Sequence, residues 1–501
     1  MRAVLLTDLL SQALSEANPV PMQRQIYDVI RRAVLEHSLV AGQKLPSSRA
    51  LAQELGVSRI TVSLAYDRLI AENYLTASTG SGTFVAATTE LPLAGKSEAS
   101  HARHTMALSQ RGAMIGTLPG GLQQFHGAFV PGVPDASLFP FHLWRRLVSR
   151  HIGKGDLALA GYAADGGGLP ALRQAVASYL KISRSVVCDP EQVIITAGTH
   201  QSIDLCARML ADPGDMAVIE NPCHWAFPTV LAAAGMHIGA GVVDADGLSL
   251  AASHVPRHAR LVVTSPSHQY PTGVVMPLAR RLELLQGARD HNLWVMEDDY
   301  DSEFRYDGSP LPSLQGLDSD ARVIYVGTFS KAMFAGIRLG YLVVPAHLAR
   351  EFASASARIY RPGQLHIQAA LADYIDEGHF AQHIRRMRVE YGERQQLLRT
   401  SLSHAFGDAI TLSEARAGLH LFMRFNLPLD TGVLHQRANE EKLVLGVPRF
   451  IGAGSAKRPD LEDRSVVLGF GGVPQGEIAR GVTSLRRAVE RTVVGKPAAR
   501  R

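Results

Sequence analysis

The feature that most constrains this chain is an alternation of short apolar runs with amphipathic segments, which continues from Phe125 for more than 350 residues. Runs such as QVIITAG, MAVIENP, ARLVVTSP and RVIYVGTF are almost wholly apolar. Such runs are typical of strands that are buried on both faces of a parallel sheet covered by helices. The pattern therefore predicts a large α/β domain with a mainly parallel sheet over residues 125–490.

The rest of the chain has a different composition. Residues 1–85 combine helix-like apolar spacing with a compact, turn-rich end. Residues 86–124 are rich in Ala, Ser, Thr, Gly and His and lack sustained periodicity. Because almost forty residues is too long for a tight connection inside a compact domain, this segment is predicted to be a linker. Residues 491–501 are predicted to form a basic tail.

The net charge of +5 and the pI near 9.1 suggest a nucleic-acid partner, but the position of the charge removes that argument. The last 16 residues carry six basic side chains against one acid, which equals the whole excess. Three scattered Cys residues favour a reducing compartment. No run reaches the ~18–20 apolar residues of a membrane span, and the N-terminus does not fit a secretory signal. We therefore expect a cytoplasmic protein that does not enter a membrane.

Residues 23–85 have the local signals of three short helices and a hairpin. A helix is predicted over 23–36, and a second over SSRALAQELGV starts at a Ser N-cap and ends at Gly56. Ser58 is expected to cap a third helix, RITVSLAYDRLIAEN, and YLTASTGSGTFV predicts a β-hairpin wing. This order is typical of a helix–turn–helix. Many small domains that bind no DNA share it, so the pattern alone leaves both interpretations open.

The detailed sequence favours DNA binding. KLPSSRALAQELGVSRITVSLAYDRL, followed by GSGTFV, resembles the GntR-type winged helix–turn–helix over about 65 residues. The resemblance implies that the module binds double-stranded operator DNA as a dimer on two half-sites. Arginine suits guanine edges, and hydroxyl groups at helix N-termini suit phosphates. By this resemblance the residues that face DNA are Arg49, Arg59, Ser47, Ser48, Ser58 and Thr61.

Two motifs in the large domain follow apolar strands with glycine-containing turns. In QVIITAGTHQSIDL, Gly198 and Thr199 lead into a helix N-terminus, where free N–H groups and the helix dipole attract phosphate. In LVVTSPSHQYPTG, a tight turn that includes Tyr270 lies at the strand's carboxyl end, the edge at which α/β folds bind ligands. Taken singly, each motif is also found as a purely structural turn.

The third motif, LWVMEDDYDSEFRY, delivers a run of carboxylates at a strand end. An EF-hand calcium loop is excluded because Phe304 occupies the position where glycine must turn the loop, and we predict no metal site. A carboxylate here can instead keep a pyridine nitrogen protonated, so that the ring acts as an electron sink.

The fourth motif, RVIYVGTFSKAMFAGIRLGYLVVP, carries Lys331 directly after one apolar strand and before another. Most lysines are solvated surface groups, but one desolvated in this position has a lowered pKa and can form a Schiff base. Arg338, seven residues further on, offers a fork for a phosphate group.

Together the four motifs resemble a fold-type I aminotransferase that uses pyridoxal 5′-phosphate (PLP), over most of residues 125–490. The resemblance implies that Lys331 forms the Schiff base, Asp298 binds the pyridine nitrogen and Tyr300 binds the ring O3′. It further implies that Tyr162 reaches the phosphate bound by the neighbouring subunit. The phosphate binders it implies within the chain are Arg338, Thr328, Gly198 and Thr199.

The sequence departs from aminotransferases at two places. In ENPCHWAFP, His224 stands where an aromatic residue usually stacks on the pyridine ring, and Trp225 follows, so either ring is a candidate. Tyr270 stands where aminotransferases carry Asn. Arg449, in GVPRFIGAG, is the candidate for binding the carboxylate of an effector, with a surface-loop arginine as the alternative.

A GntR-type module joined to this domain resembles the MocR/GabR regulators, and EDDYDSEFRY and SHQYPTG fit that group. The resemblance implies a head-to-tail, domain-swapped homodimer whose PLP domain senses a small amino compound or PLP and thereby controls operator binding. GABA, taurine, other amino acids, D-alanyl compounds and PLP alone remain candidate effectors. The alternatives are a working aminotransferase with an accessory DNA module and a scaffold with an inactive pocket.

Overall fold

The structure is a computed structural model that separates into two compact units, Met1–Ala107 and Leu108–Arg501. It describes residues 2–15, 19–78, 80–87, 107–117, 127–153, 155–162, 165–308, 312–414, 417–427, 429–451 and 464–494. Most of the predicted linker and the last seven residues of the predicted tail lie outside these ranges.

The first unit is a winged helix–turn–helix, as the sequence predicts. Its three strands form an antiparallel sheet in the order β1-β3-β2, in which β2 and β3 are the wing. One helix, α1, was not predicted; its Leu6 and Leu10 are fully buried in the core of the unit. The elements are α1 (Arg2–Ala13), α2 (Met22–Leu35), β1 (Lys44–Leu45), α3 (Ser48–Leu55), α4 (Arg59–Ala71), β2 (Leu75–Ser78) and β3 (Gly82–Val85).

Local signals explain where α3 and α4 begin and end. The Ser47 side chain accepts a hydrogen bond of 3.1 Å from the Ala50 N–H, which caps α3. Gly56 ends α3 with a positive φ of 67°, which a glycine adopts without steric cost. Ser58 then caps α4 by accepting 3.1 Å from the Thr61 N–H. These caps explain why the predicted boundaries of both helices agree closely with the structure.

The second unit holds the predicted α/β domain and a smaller C-terminal sheet. Its helices are α5 (Gln110–Thr117), α6 (Phe141–Gly153), α7 (Pro170–Arg184), α8 (Thr199–Leu210), α9 (Ala226–Ala233), α10 (Leu278–Asp290), α11 (Leu314–Leu317), α12 (Ala349–Ile359), α13 (Leu365–Asp376), α14 (His379–Phe406), α15 (Thr431–Glu440) and α16 (Gln475–Val494). Its strands are β4 (Val193–Thr196), β5 (Met216–Asn221), β6 (His237–Asp244), β7 (Gly247–Ser249), β8 (Ala259–Thr264), β9 (Trp294–Asp299), β10 (Val323–Thr328), β11 (Gly340–Val343), β12 (Ile410–Leu412), β13 (His420–Phe425) and β14 (Ser465–Gly469).

The large sheet has eight strands in the order β4-β11-β10-β9-β8-β5-β6-β7. Strands β10, β9, β8, β5 and β6 are parallel, whereas β11 runs antiparallel between β4 and β10, and β7 antiparallel to β6. Along β10, Ile324 and Val326 enter one apolar cluster, while Tyr325 on the opposite face enters another. Both faces are therefore buried, and the predicted α/β class with a mostly parallel sheet is confirmed.

The C-terminal part differs from the sequence prediction at its end. Strands β12, β13 and β14 form a separate antiparallel sheet. Helix α16 continues four residues beyond the predicted boundary at residue 490, and Arg491 pairs with Glu440 at 2.8 Å. In the described ranges, no helix is both long and apolar enough to cross a bilayer.

Candidate functional site

The loops that follow the parallel strands of the large sheet enclose a cavity of about 150 Å³. Ligands of α/β folds bind at this edge because the loops after several strands meet there. Eight of the ten predicted cofactor contacts line the cavity: Thr199, His224, Tyr270, Asp298, Tyr300, Thr328, Lys331 and Arg338.

Lys331 lies three residues after β10, and its Nζ donates a hydrogen bond of 2.7 Å to the Gly132 carbonyl oxygen. Burial lowers the pKa of this amine, and the carboxylates of Asp301 and Asp298 oppose that effect. A lowered pKa leaves more of the amine neutral, and the neutral amine is the form that attacks a carbonyl. The cavity wall therefore carries a lysine suited to covalent chemistry.

The three consecutive acids at the end of β9 have different surroundings because side chains alternate between the two faces of a strand. Glu297 is a structural residue. Its two carboxylate oxygens accept hydrogen bonds of 2.9 Å from the N–H groups of Leu314 and Gln315, at the start of α11. Asp299 also faces away from the cavity, whereas Asp298, between them, lines it.

Asp299 is held by a buried ionic cluster, in which it accepts hydrogen bonds from Arg184 Nε at 2.6 Å and from the Tyr325 hydroxyl at 2.5 Å. Asp298 is only 6% exposed and has no hydrogen-bond partner among the described residues. Burial, followed by the charges of Asp299 and Glu220, raises the pKa of Asp298 well above its usual value. No described residue donates a hydrogen bond to this carboxyl, and the protonated nitrogen of a pyridine ring would supply such a donor.

Tyr300 places a phenol on the same wall. Its hydroxyl donates a hydrogen bond of 2.8 Å to the main-chain oxygen of His268. Burial raises the pKa of Tyr300 well above its usual value, so the phenol stays protonated and remains a donor.

The antiparallel strand β11 brings the predicted phosphate binders together. Its first residue, Gly340, pairs with Thr328 at the end of β10 and with Thr196 at the end of β4. Arg338, just before β11, therefore emerges beside the turn that leads into α8. A Cβ atom built on Gly198 would lie 3.6 Å from the Arg338 guanidinium carbon.

Gly198 is the N-cap of α8 and has a φ of 97°, which favours glycine at this position. The N–H groups of Gln201 and Ser202 bond back to its carbonyl oxygen. Those of Thr199 and His200 bond to no described residue. A guanidinium and free N–H groups at the N-terminus of a 12-residue helix form a suitable place for a phosphate.

A group of aromatic side chains, here called the aromatic wall, also lines the cavity. Both His224 and Trp225 line it, with their ring centroids 5.5 Å apart. The Tyr270 ring packs edge-on against His224 at 5.2 Å. Burial, followed by the positive charge of Lys331, lowers the pKa of His224 to about 3, so its imidazole is neutral. Which of His224 and Trp225 stacks on a pyridine ring stays a prediction.

Three predicted residues lie outside the cavity lining: Gly198 at the start of α8, Arg449 and Tyr162. Arg449 is exposed, and its main-chain oxygen accepts a hydrogen bond of 3.2 Å from the Cys223 N–H. Burial raises the pKa of Tyr270, and the positive charge of Arg449 opposes that rise. Tyr162 is 66% exposed and its ring lies 4.3 Å from the Arg361 guanidinium carbon. Their roles toward an effector and a neighbouring subunit stay predictions.

Other residues of the lining were missed by the sequence analysis, among them His200, Phe227 and His420. His420 begins β13 in the C-terminal sheet, and a histidine in the apolar run HLFMRF is the signal that could have revealed it. Its imidazole, that of His268 and the Asp301 carboxylate hold metal-type donor atoms within 4.8 Å of one another. Each of the three takes part in a hydrogen bond within the protein, whereas His420 Nδ1 is buried without a partner among the described residues.

In the first unit, the six predicted DNA contacts cluster at the N-termini of α3 and α4. Arg49 and Arg59 are exposed and form no ion pair with any described residue. Ser47 and Ser58 accept their capping hydrogen bonds, and Thr61 bonds to the Ser58 hydroxyl at 2.8 Å. Ser48 lies in the first turn of α3. Free cations beside two helix N-termini are the groups that a phosphate backbone attracts.

Comparison with known proteins assigns both units. Residues 22–85 match the model for bacterial regulatory proteins of the gntR family, and residues 159–447 match the model for class I and II aminotransferases. Among solved structures, LysN, an α-aminoadipate aminotransferase from Thermus thermophilus, is 25% identical with a TM-score of 0.68, covering 77% of this chain and 100% of its own. An archaeal alanine:glyoxylate aminotransferase is 22% identical with a TM-score of 0.68, over 77% and 98%.

Several relatives align with nearly the whole chain, across both units. The probable rhizopine catabolism regulatory protein MocR of Rhizobium meliloti is 39% identical over 94% of each chain. The regulator TauR of Rhodobacter capsulatus is 32% identical over 93% of this chain and 96% of its own. The pyridoxine biosynthesis regulator PdxR of Corynebacterium glutamicum is 31% identical over 92% and 94%. The chain therefore belongs to the MocR-type transcriptional regulators, in which a GntR-type winged helix–turn–helix is joined to an aminotransferase-like domain.

Proposed function

We propose that this regulator holds PLP covalently on Lys331, senses an amino compound or PLP itself in the surrounding cavity, and controls operator binding by its winged helices in the cytoplasm. The observation that carries the proposal is the meeting of three complementary groups on one cavity. These are a desolvated amine, a carboxyl without a partner, and a guanidinium beside a helix N-terminus, supplied by Lys331, Asp298 and Arg338.

These groups match the parts of PLP. When bound, PLP supplies an aldehyde that condenses with primary amines and a pyridine ring that withdraws electrons. Lys331 is the amine, and Asp298 would hold the ring nitrogen protonated. Tyr300 would donate to the ring oxygen. Arg338, Thr328 and the start of α8 at Gly198 and Thr199 would hold the phosphate.

The aromatic wall and Arg449 are the proposed effector side of the site. Neutral His224 or the Trp225 ring would cover the pyridine ring, and Tyr270 replaces a small polar residue with a bulky one. Arg449 would bind a carboxylate of the effector. The relatives MocR and PdxR are named for rhizopine catabolism and pyridoxine biosynthesis, which supports testing both amino compounds and PLP.

On the DNA side, we propose that Arg49 and Arg59 contact base edges, and that Ser47, Ser48, Ser58 and Thr61 contact phosphates. Two half-sites require two winged helices, so the regulator acts as a homodimer. We propose the head-to-tail, domain-swapped form, with Tyr162 reaching the phosphate bound by the partner. An effector changes DNA binding only if it binds two conformations of this dimer with different affinity.

The decisive experiment combines absorbance with DNA binding on the full-length protein. PLP-loaded protein is titrated with a panel of amines, amino acids and free PLP, and the visible band of the cofactor is followed. The same additions are made in gel-shift assays with DNA from upstream of its own coding sequence. We expect at least one compound to change both the band and the DNA affinity.

A catalytic role is tested on the same preparation by mixing the protein with amino acids and a keto acid. Turnover of about 1–10³ s⁻¹, the usual range for enzymes, without any gel shift would replace the regulator with a working aminotransferase. Absence of the visible band after incubation with PLP would indicate a scaffold with an inactive pocket.

A further inference from the structure

Two residues in the strand-end motifs have no role in the cofactor contacts described above. His268 lies in SHQYPTG after β8, and Asp301 lies in EDDYDSEF after β9. Each side chain is 2% exposed. His268 Nδ1 lies 3.1 Å from both carboxylate oxygens of Asp301. Burying such a pair is costly unless its hydrogen bonds are made, so the position of each partner is tightly determined by the other.

His268 connects this pair to the cavity through Tyr300. The Tyr300 hydroxyl donates to the His268 main-chain oxygen at 2.8 Å and lies 3.3 Å from Nδ1 of the same residue. Since Asp301 holds the His268 ring in place, it also determines where His268 Nδ1 lies relative to the Tyr300 hydroxyl. Asp301 itself does not line the cavity; its charge acts on Tyr300 directly, and its hydrogen-bonded connection to Tyr300 runs through His268.

Asp301 also connects the pair to the C-terminal sheet. Its Oδ2 accepts a hydrogen bond of 3.2 Å from the Leu419 N–H, directly before β13. The next residue, His420, lines the cavity, and its ring centroid lies 4.6 Å from that of His268. The backbone at Gly418 packs directly against the His268 ring. A Cβ atom on Gly418 would lie 1.9 Å from that ring, and φ at Gly418 is 80°. Glycine is therefore required for this contact.

We propose that Asp301 is a positioning residue that joins two walls of the sensor cavity: through His268 it orients the Tyr300 phenol, and through the Leu419 N–H it holds the strand that carries His420. The proposal rests on the proposed binding of PLP at Lys331. An effector that displaces His420 would then alter the environment of the cofactor through this connection. The titratable or charged groups that share the cavity with Lys331 are His200, His224, His420, Asp298, Tyr270, Tyr300 and Arg338.

The test is a double-mutant cycle on the PLP-loaded, full-length protein. The pH midpoint of the cofactor's visible band is measured for wild type, Asp301→Asn, Tyr300→Phe and the double variant. If Asp301 acts through Tyr300, Asp301→Asn moves the midpoint by about 0.5 pH unit or more in the same direction as Tyr300→Phe. In the Tyr300→Phe background it then has little further effect, about 0.2 unit or less.

The other outcomes overturn the proposal. Equal shifts in both backgrounds would mean that Asp301 acts only as a charge near Lys331, and no shift with full PLP content would mean that it has no role. Glu303→Gln is the control for removing a neighbouring buried carboxylate and is expected to leave the midpoint unchanged. Should Asp301→Asn fail to fold, His268→Leu, which removes the ring nitrogens and leaves the main-chain carbonyl, enters the same cycle. A wild type without any cofactor band would instead overturn the proposed function.

Discussion

The two units use positive charge in opposite ways. In the winged helix–turn–helix, Arg49 and Arg59 are exposed at helix N-termini and have no protein partner among the described residues. In the aminotransferase-like unit, Lys331 is desolvated and hydrogen-bonded to Gly132. Attraction to a polyanion requires cations that water already solvates and DNA can reach, whereas attack on an aldehyde requires an amine that burial has made easier to deprotonate. Burial thus distinguishes solvated cations suited to electrostatic attraction from an amine suited to covalent chemistry.

The largest effect is expected for Lys331→Ala. Because no other lysine in the described part of the chain lines the cavity, the visible band of covalently held PLP should be lost completely, while thermal unfolding still shows a folded protein. Absorbance after PLP loading and gel filtration is the measurement. Lys181→Ala, on an exposed position in the last turn of α7, is the matched control and should keep the band. A band that persists in Lys331→Ala would place the covalent bond elsewhere.

The second-largest effect is expected on DNA binding by the winged helix–turn–helix. Arg59→Ala should weaken operator binding by about 10- to 100-fold, since a good contact between arginine and guanine is worth ~1–3 kcal/mol. The PLP band should not change. The affinity is measured by fluorescence anisotropy at fixed salt concentration.

Arg68→Ala is the control on the same helix. Arg68 lies in the last turn of α4, pairs with Glu72 at 2.9 Å and covers the Tyr27 ring at 4.3 Å. The Arg68→Ala variant should therefore lose much less DNA affinity than the Arg59→Ala variant. If Arg59→Ala abolishes both DNA binding and the PLP band, Arg59 is a folding residue and the assignment is wrong.

The smallest effect is expected for the N-cap of α3, the helix that carries Arg49. Ser47→Ala removes the N-cap of α3 and should cost about 1 kcal/mol of local stability. Hydrogen exchange of peptides that cover α3 should accelerate by about fivefold, since ~1 kcal/mol changes an opening equilibrium by that factor. Ser48→Ala, one residue further, removes a hydroxyl that does not cap the helix and should leave exchange unchanged. Equal acceleration in both variants would show that the cap does not stabilise α3.

The comparison also separates what sequence patterns can and cannot predict. The helices of the winged unit were predictable because Ser47, Gly56 and Ser58 act on their own neighbours. Strand-end motifs likewise indicated Lys331 and Asp298, and the alternation of side chains along β9 explains why Asp298, not Glu297 or Asp299, faces the cavity.

Contacts that join distant segments were not predictable in this way. His420 reaches the cavity from a separate sheet, and its position in the apolar run HLFMRF marks it as unusual without indicating which segment it meets. The packing of Gly418 on His268 depends on chain segments 150 residues apart. The apolar run of α1 is short and interrupted by Asp8, so it does not stand out as a helix in the sequence, and the charge of Arg491 resembles that of the basic tail although the residue lies in α16.

The hairpin of β10 and β11 has a consequence for how such regulators diverge. It carries Thr328, Lys331 and Arg338 on one short stretch of chain next to Asp298 on β9. The lining residues His224 and Tyr270, and Arg449 outside the lining, come from loops elsewhere in the sequence. Under the proposed function, substitutions in those loops can therefore change the recognised compound while the contacts proposed for PLP stay intact. A lineage built on this plan can acquire new signals by altering one wall of the cavity and keeping the other.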